Sequence, residues 1–292
     1  MPRNPRNTDP ASIRLITIRT FEAMFFLQPC AAVNEIIGGV LARYQEIYKI
    51  EIYAYVFLSN HFHLLIRAPH SNTHAFMCRV NQEISRRLRN YYNISGRFWH
   101  RRYDDHPCPT IQDALDALVY IMANPTNHGL VSDPSKWPGL HCIDHMKDYR
   151  DREFFFTHYS HLEESGEFYV SKHCLKLSPL PEATTVLADQ SIAVLLRNRI
   201  MEIKTERAGK RFLEPEAIKR QQPTNRPKES KQSPKPICYS KCLETIITFT
   251  KEFKSWLAQY RKASFAFRTL QAKCDFPRFS ISPPRFFSPR LA

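Results

Sequence analysis

None of the eight cysteines stands in a Cys-x-x-Cys pair. Cys238 and Cys242 are four apart, with no second pair and no nearby histidine to complete a zinc site. Scattered thiols in a chain of 292 residues point instead to a reducing, cytoplasmic setting. No apolar run approaches the 18 residues that a membrane-spanning helix needs. Met1-Pro2-Arg3-Asn4-Pro5-Arg6 is followed by no apolar core, so no secretory leader is expected. There is no internal repeat. Glycine is scarce, at seven residues, while the 21 prolines crowd toward the C-terminal end and predict irregular structure there.

Acidic charge is also short: 28 Asp and Glu face 42 Lys and Arg, a net of +14. The imbalance is local. Lys204 to Ala292 holds 20 basic and 7 acidic residues, net +13, which leaves net +1 for everything before it. A basic segment of this kind suits a polyanion, either nucleic acid or an anionic membrane; the plainer alternative is a solubilising tail. The 43% hydrophobic content supports a real core, in one large domain or two small ones.

Periodicity supplies the elements. Ser12 to Thr20 reads as an isoleucine-rich strand. Ala31 to Tyr48 has helical spacing in Val33, Ile36, Ile37, Val40, Leu41, Tyr44 and Ile47. Ile50 to Leu58 alternates, with Ile50, Ile52, Ala54, Val56 and Leu58 on one face. Ser59-Asn60 is a tight turn into a second strand, His61 to Arg67, so the two form an antiparallel hairpin. On that strand His61 and His63 point the same way. They are half of a divalent-metal site, or else one is packed and one exposed without metal.

Thr73 to Tyr92 is a helix whose apolar stripe is Phe76, Val80, Ile84, Leu88 and Tyr91. Arg79, Arg86, Arg87 and Arg89 lie on its other side. Arg97-Phe98-Trp99-His100-Arg101-Arg102-Tyr103 then interleaves arginine with aromatic rings, which suits single-strand nucleic acid; the alternative is a solvated helix face plus an aromatic core strand. Thr110 opens another helix, with Asp113 completing a capping box. Tyr120 and Asn124 share one face of it, and Pro125 is expected to end it at Asn124. The order strand-helix-strand-strand-helix-strand-helix predicts an α+β fold with an antiparallel sheet. Further on, Thr185 to Lys204 and Lys241 to Tyr260 read as helices, Gln221 to Pro236 as a linker, and Phe276 to Pro289 as irregular. The expected division is a domain over 1–150, a helical extension over 151–220, a Pro/Lys-rich linker over 221–240, and a basic helix with irregular tail over 241–292.

Three blocks occur in order: Asn60-His61-Phe62-His63-Leu64-Leu65, Gly96 through Tyr103, and Tyr120-Ile121-Met122-Ala123-Asn124-Pro125-Thr126-Asn127-His128-Gly129-Leu130-Val131, trailed by Trp137-Pro138-Gly139. Together they resemble the single-tyrosine HUH transposases of the insertion-sequence-200-like family, most of all its REP-associated branch. The resemblance covers roughly residues 10 to 145. Relaxases share the histidine pair but place the tyrosine before it. Replication initiators usually carry a lysine three or four residues past the tyrosine, where this chain has Ala123 and Asn124.

The resemblance implies a ferredoxin-like HUH core, its central antiparallel sheet flanked by helices, with a basic, partly irregular C-terminal extension. It implies a DNA transposase of the HUH endonuclease type, acting on single-stranded hairpin DNA in the bacterial cytoplasm and nucleoid-associated when bound. Mg²⁺ or Mn²⁺ would be held by His61 and His63, with Asn124 as the third ligand. Tyr120 would be the nucleophile, leaving a 5′-phosphotyrosine and a free 3′-hydroxyl. DNA would be contacted by Arg79, Arg86, Arg87, Arg89, Arg97, Trp99, Arg101 and Arg102. Monomer and homodimer both remain open. So do two rival readings: a domesticated, non-catalytic binder of DNA hairpins on the same fold, and an RNA-binding protein. Removal of Lys204 to Ala292 is expected to leave the site formed while weakening DNA binding and its salt dependence.

Overall fold

A computed structural model describes residues 5–148, 150–162, 166–181, 191–227, 236–269 and 274–281. Strand β1 (Ile13–Arg19) leads to helix α1 (Ala31–Tyr48), then strands β2 (Glu51–Leu58) and β3 (His61–Arg67). Helix α2 (Thr73–Tyr92) and strand β4 (Asp104–Cys108) complete the plan. The four strands pair antiparallel in the order β2-β3-β1-β4. Two β-α-β halves interleaved in this way are the ferredoxin-like arrangement. β1, α1, the β2–β3 hairpin and α2 lie where the periodicity places them. The fourth strand differs. The aromatic-arginine segment is not a strand; it makes one isolated bridge, Thr20 to Trp99, and the strand begins just after it.

Both faces of β3 are covered, because His61 through Ile66 are all buried. On one face Phe62 meets Trp99, whose indole N–H donates to Asn81 O of α2. The opposite face, with His61 and His63, lies under helix α3 (Ile111–Asn127). The expected alternation along β2 breaks at Tyr53. Ile52 pairs with Ile66 but Ala54 with Leu65, so a bulge turns Ile52 away from the face that holds Ala54 and Val56.

Helix α3 opens on the expected capping box, with Thr110 Oγ1 accepting from Asp113 N and the Asp113 carboxylate from Thr110 N. Its end differs from expectation, since it runs through Pro125 to Asn127. Proline removes one donor from the ladder, but here only in the last turn. Beyond it His128 N donates to Asn124 O at 3.1 Å and Leu130 N to Pro125 O at 2.9 Å. Gly129, at φ +71, then turns the chain out of the helix.

After the short helix α4 (Ile143–Asp148), the region expected to be helical begins as a hairpin, β5 (Arg152–Leu162) with β6 (Phe168–Leu175). Phe154 and Phe156 are buried while Phe155 between them is exposed, a period-two pattern overlooked in the sequence. The hairpin packs on α1 at two glycines. A Cβ on Gly38 would meet the Phe154 ring at 2.2 Å, and one on Gly39 would meet the Phe155 carbonyl oxygen at 2.2 Å. In an open helix Gly→Ala gains about 1 kcal/mol. A backbone oxygen cannot swing aside, so here the clash wins. Gly39→Ala should lower the thermal midpoint; a raised midpoint would mean that the hairpin does not seat on α1.

Helix α5 (Ile192–Glu206) packs on α3 and is followed by helices α6 (Glu214–Lys219) and α7 (Leu243–Thr269). Residues 185–190, 228–235 and 282–289, parts of the expected helix, linker and tail, lie outside the described residues. The basic C-terminal part returns to the core. Tyr239 N donates to Pro107 O at 2.8 Å, on the edge strand β4, and Thr8 N donates to Phe279 O at 2.7 Å. Leu257 of α7 is buried, but Ile247 is 59% exposed. Removal of Lys204 to Ala292 would therefore strip cover from the sheet edge, not trim a free tail.

Candidate active site

β3 places His61 and His63 on the face beneath α3, with ring centroids 5.1 Å apart. They are 7% and 5% exposed. Each imidazole has its Nδ1 engaged from outside the site. Asn60 Oδ1 accepts from His61 Nδ1 at 2.7 Å, and Thr17 Oγ1 lies 2.7 Å from His63 Nδ1. Such contacts orient histidines that present Nε2 to a metal. His63 Nε2 is buried and has no hydrogen-bond partner.

Tyr120 of α3 lies across His63, ring centroids 5.3 Å apart. One turn on, Asn124 is fully buried, and neither its Oδ1 nor its Nδ2 has a hydrogen-bond partner. A buried amide without partners costs a few kcal/mol. The orphaned Nε2 and the orphaned amide are where a third and a second ligand of one cation would be expected. Among the described residues no three His, Cys, Asp or Glu side chains are grouped to hold a metal. The Asn124 amide, one helical turn from Tyr120 and without a hydrogen-bond partner, offers a neutral oxygen donor beside the two imidazoles.

Electrostatics keep the imidazoles neutral. Burial first, then His63, His128 and Arg19, holds His61 well below the usual histidine range. Burial, with His128, His106 and Arg19, pushes His63 down to about 3. Neutral nitrogen is the form that ligates. Burial raises the Tyr120 hydroxyl, and the nearby Asn124 amide partly offsets that. Tyr120 therefore needs help to ionise at neutral pH.

Several residues of this site had no role assigned from sequence. Thr17 and Arg19 are the polar members of an alternating strand, a readable signal. His128 is four residues past Asn124, so it continues the Tyr120–Asn124 face; its ring stands 5.2 Å from His61. It is reachable by solvent yet surrounded enough that burial, Arg19 and Arg207 lower its pKa. Tyr239, 6.0 Å from Tyr120 between ring centroids, and Arg207 come from far along the chain and carry no local signal.

The expected DNA contacts divide. α2 stands behind the sheet, on the face away from the histidines, so Arg79, Arg86 and Arg89 do not line the site. Arg79 is exposed beside Gln82, Arg86 pairs with Glu83, and Arg89 donates to Ser85 O and Gly96 O. Arg97 is exposed, Arg101 pairs with Asp104, and Arg102 is exposed. Two of these residues are engaged within the fold. The half-buried Trp99 donates its indole N–H to Asn81 O and packs against Phe62 and Phe98. Arg87 is 5% exposed, pairs with Glu83 at 3.0 Å, donates to Thr157 O at 2.7 Å and lies 3.9 Å over Phe156.

Arg87 thus pins the hairpin to α2, because the hairpin folds over this side of the helix. Arg87→Ala should cost about 2 kcal/mol through the lost hydrogen bond to Thr157 O and the lost Phe156 contact, since Glu83 keeps Arg86. Denaturant melts would detect it. Unchanged stability with weakened DNA binding would restore the original expectation.

No helix among the described residues is long and apolar enough to cross a membrane. Comparison with known proteins finds similarity to transposases. A REP-associated tyrosine transposase bound to a REP hairpin has a solved structure that covers 51% of this chain and 87% of its own, at 20% identity and a TM-score of 0.43. A Haemophilus influenzae protein, whose assigned name is that of a REP-associated tyrosine transposase, is 31% identical over 106 residues. That alignment takes in 32% of this chain and 59% of the relative, so the chain spans little more than half of the relative's length. The family model described as IS200-like transposase matches residues 28–123, about a third of the chain and the stretch that holds His61, His63 and Tyr120.

Proposed function

We propose that this protein is a DNA transposase that cleaves and rejoins single-stranded hairpin DNA through a covalent tyrosine intermediate. The observation that carries the reading is Tyr120 set across His63, beside the unpartnered His63 Nε2 and Asn124 amide. The matches to REP-associated tyrosine transposases support the same substrate class.

His61, His63 and Asn124 would hold Mg²⁺ or Mn²⁺. The bound ion would supply Lewis-acid polarisation of the scissile phosphate. Tyr120 Oη attacks phosphorus and gives up its proton; the P–O3′ bond breaks, and the 3′-oxygen leaves and is protonated. The 5′-phosphotyrosyl bond keeps the energy of the broken one. Attack by a 3′-hydroxyl then restores Tyr120 without ATP. The half-buried setting of Tyr120 limits competition from water. Such a protein would work on DNA in a bacterial cytoplasm, as monomer or dimer.

The test uses full-length protein, Mn²⁺, and a labelled hairpin oligonucleotide copied from an imperfect palindrome flanking its gene. A band shifted on a denaturing gel is expected. Retention on a native gel alone would favour the non-catalytic binder, and preference for the RNA version of the hairpin would favour the RNA reading.

A further inference from the structure

Pro236 to Lys241 lies outside the stretch that matches the transposase family, yet it crosses from the sheet edge to the helix that carries Tyr120. Three ties fix its course. On β4, His106 Nδ1 donates to Pro236 O at 2.9 Å, and Tyr239 N donates to Pro107 O at 2.8 Å. On α3, Lys241 Nζ lies 3.2 Å from Asp116 Oδ2. Cys238, within the crossing, is 2% exposed. Asp116 stands one helical turn before Tyr120 and shares its face. The crossing therefore delivers Tyr239 to Tyr120, with ring centroids 6.0 Å apart and planes tilted by 45°. His63 meets the same Tyr120 ring at 5.3 Å. One aromatic contact comes from the sheet, the other from the C-terminal extension.

A tyrosine that attacks phosphorus must keep its oxygen able to reach the phosphate, so its ring has to be held through the carbon atoms. On a helix a tyrosine has two common χ1 settings, about 180° and about −60°. They send the ring along different paths, so at most one lays it across His63. Aromatic rings at the separation and tilt of Tyr120 and Tyr239 attract each other. That attraction favours the setting the ring has here. Because Tyr239 is tied on both flanks, the backing is in place before DNA arrives. Both tyrosines are half-buried, so the pair stands at the rim of the core, not inside it.

Resting on the strand-cleavage reading above, we propose that Tyr239 is a positioning residue whose ring holds the Tyr120 ring against His63. The site is then shared between the matched stretch and the extension. Tyr239 touches neither phosphate nor metal in this role; it acts through Tyr120, and the ring is the part that acts.

The test compares full-length wild type with Tyr239→Ala, Tyr239→Phe and Tyr239→Leu, the last filling space without a ring. Single-turnover adduct formation is measured with protein saturating over the labelled hairpin oligonucleotide and Mn²⁺. Tyr239→Ala should slow it about 10²-fold, as a misplacement of about 1 Å does, while native-gel hairpin affinity stays within a few fold. Tyr239→Phe should restore the rate to within a few fold of wild type, and Tyr239→Leu should not. In metal-free protein the NMR cross-relaxation between the Tyr120 and His63 rings should be kept in Tyr239→Phe and lost in Tyr239→Ala. If Tyr239→Ala does not fold, Tyr239→Leu carries both comparisons. A ring-less variant with a wild-type or faster rate overturns the proposal, as does cross-relaxation that survives without the ring. Affinity that falls in step with rate overturns it too, since Tyr239 would then be a DNA contact. If the cross-relaxation depends on the Tyr239 ring but the wild type forms no adduct, the positioning contact stands and the strand-cleavage reading falls.

Discussion

Tyr120→Phe should form no covalent adduct with hairpin DNA and release no 3′-hydroxyl end, while it binds the hairpin within a few fold of wild type. The substitution removes one oxygen. The ring stays available to lie across His63 and beside Tyr239, so the packing of α3 is kept. The loss should be complete, because a covalent route without its nucleophile has no partial form. Cleavage that survives would point to another hydroxyl. Tyr103 is poorly suited: it is buried, burial raises its pKa to about 12, and Arg6 lies 3.5 Å over its ring.

His63→Ala should remove cleavage as fully, and EDTA should do the same to the wild type. His63 presents the buried, unpartnered Nε2, so its loss takes away a ligand and not a packed ring alone. His61→Ala should behave alike. Because burial holds both imidazoles below the usual histidine range, His63 at about 3, Mn²⁺ affinity should fall less steeply with falling pH than for free imidazole ligands. The same shifts have a stability sign. Unfolded histidines take up protons near pH 6.5 while the buried ones do not. Metal-free protein should therefore lose stability as pH drops below about 6.5. Undiminished cleavage in excess EDTA would return the pair to a purely structural role.

The core was legible because its signals are local. Period-two runs gave β1, β2 and β3, period 3.6 gave α1 and α2, and Thr110 with Asp113 fixed the start of α3. The Tyr120–Asn124 face follows from helical spacing alone. What was missed depends on partners distant in sequence. Arg87 looks like a solvent-facing arginine until the Arg152–Leu175 hairpin closes over it. The bond from the Trp99 indole to Asn81 O, eighteen residues away, has no local signal either. Tyr53 looks like a regular strand residue until the register shifts around it. Charge count left the placement of the C-terminal third open. Net +13 describes what the segment carries, while Tyr239 on Pro107 and Arg207 on Gly129 show that it packs on the folded core.

The central claim is that Tyr120 becomes bonded to DNA phosphorus, and peptide mapping of the adduct tests it most directly. Wild-type protein is reacted with the hairpin oligonucleotide and Mn²⁺, digested with nuclease and trypsin, and read by mass spectrometry. The tryptic fragment from Tyr103 to Lys136 contains both Tyr103 and Tyr120, so fragmentation must place the added nucleotide. The account predicts a phosphonucleotide on Tyr120 through its 5′-phosphate. A nucleotide on any other residue, or an adduct absent under conditions where the hairpin is bound, would contradict it.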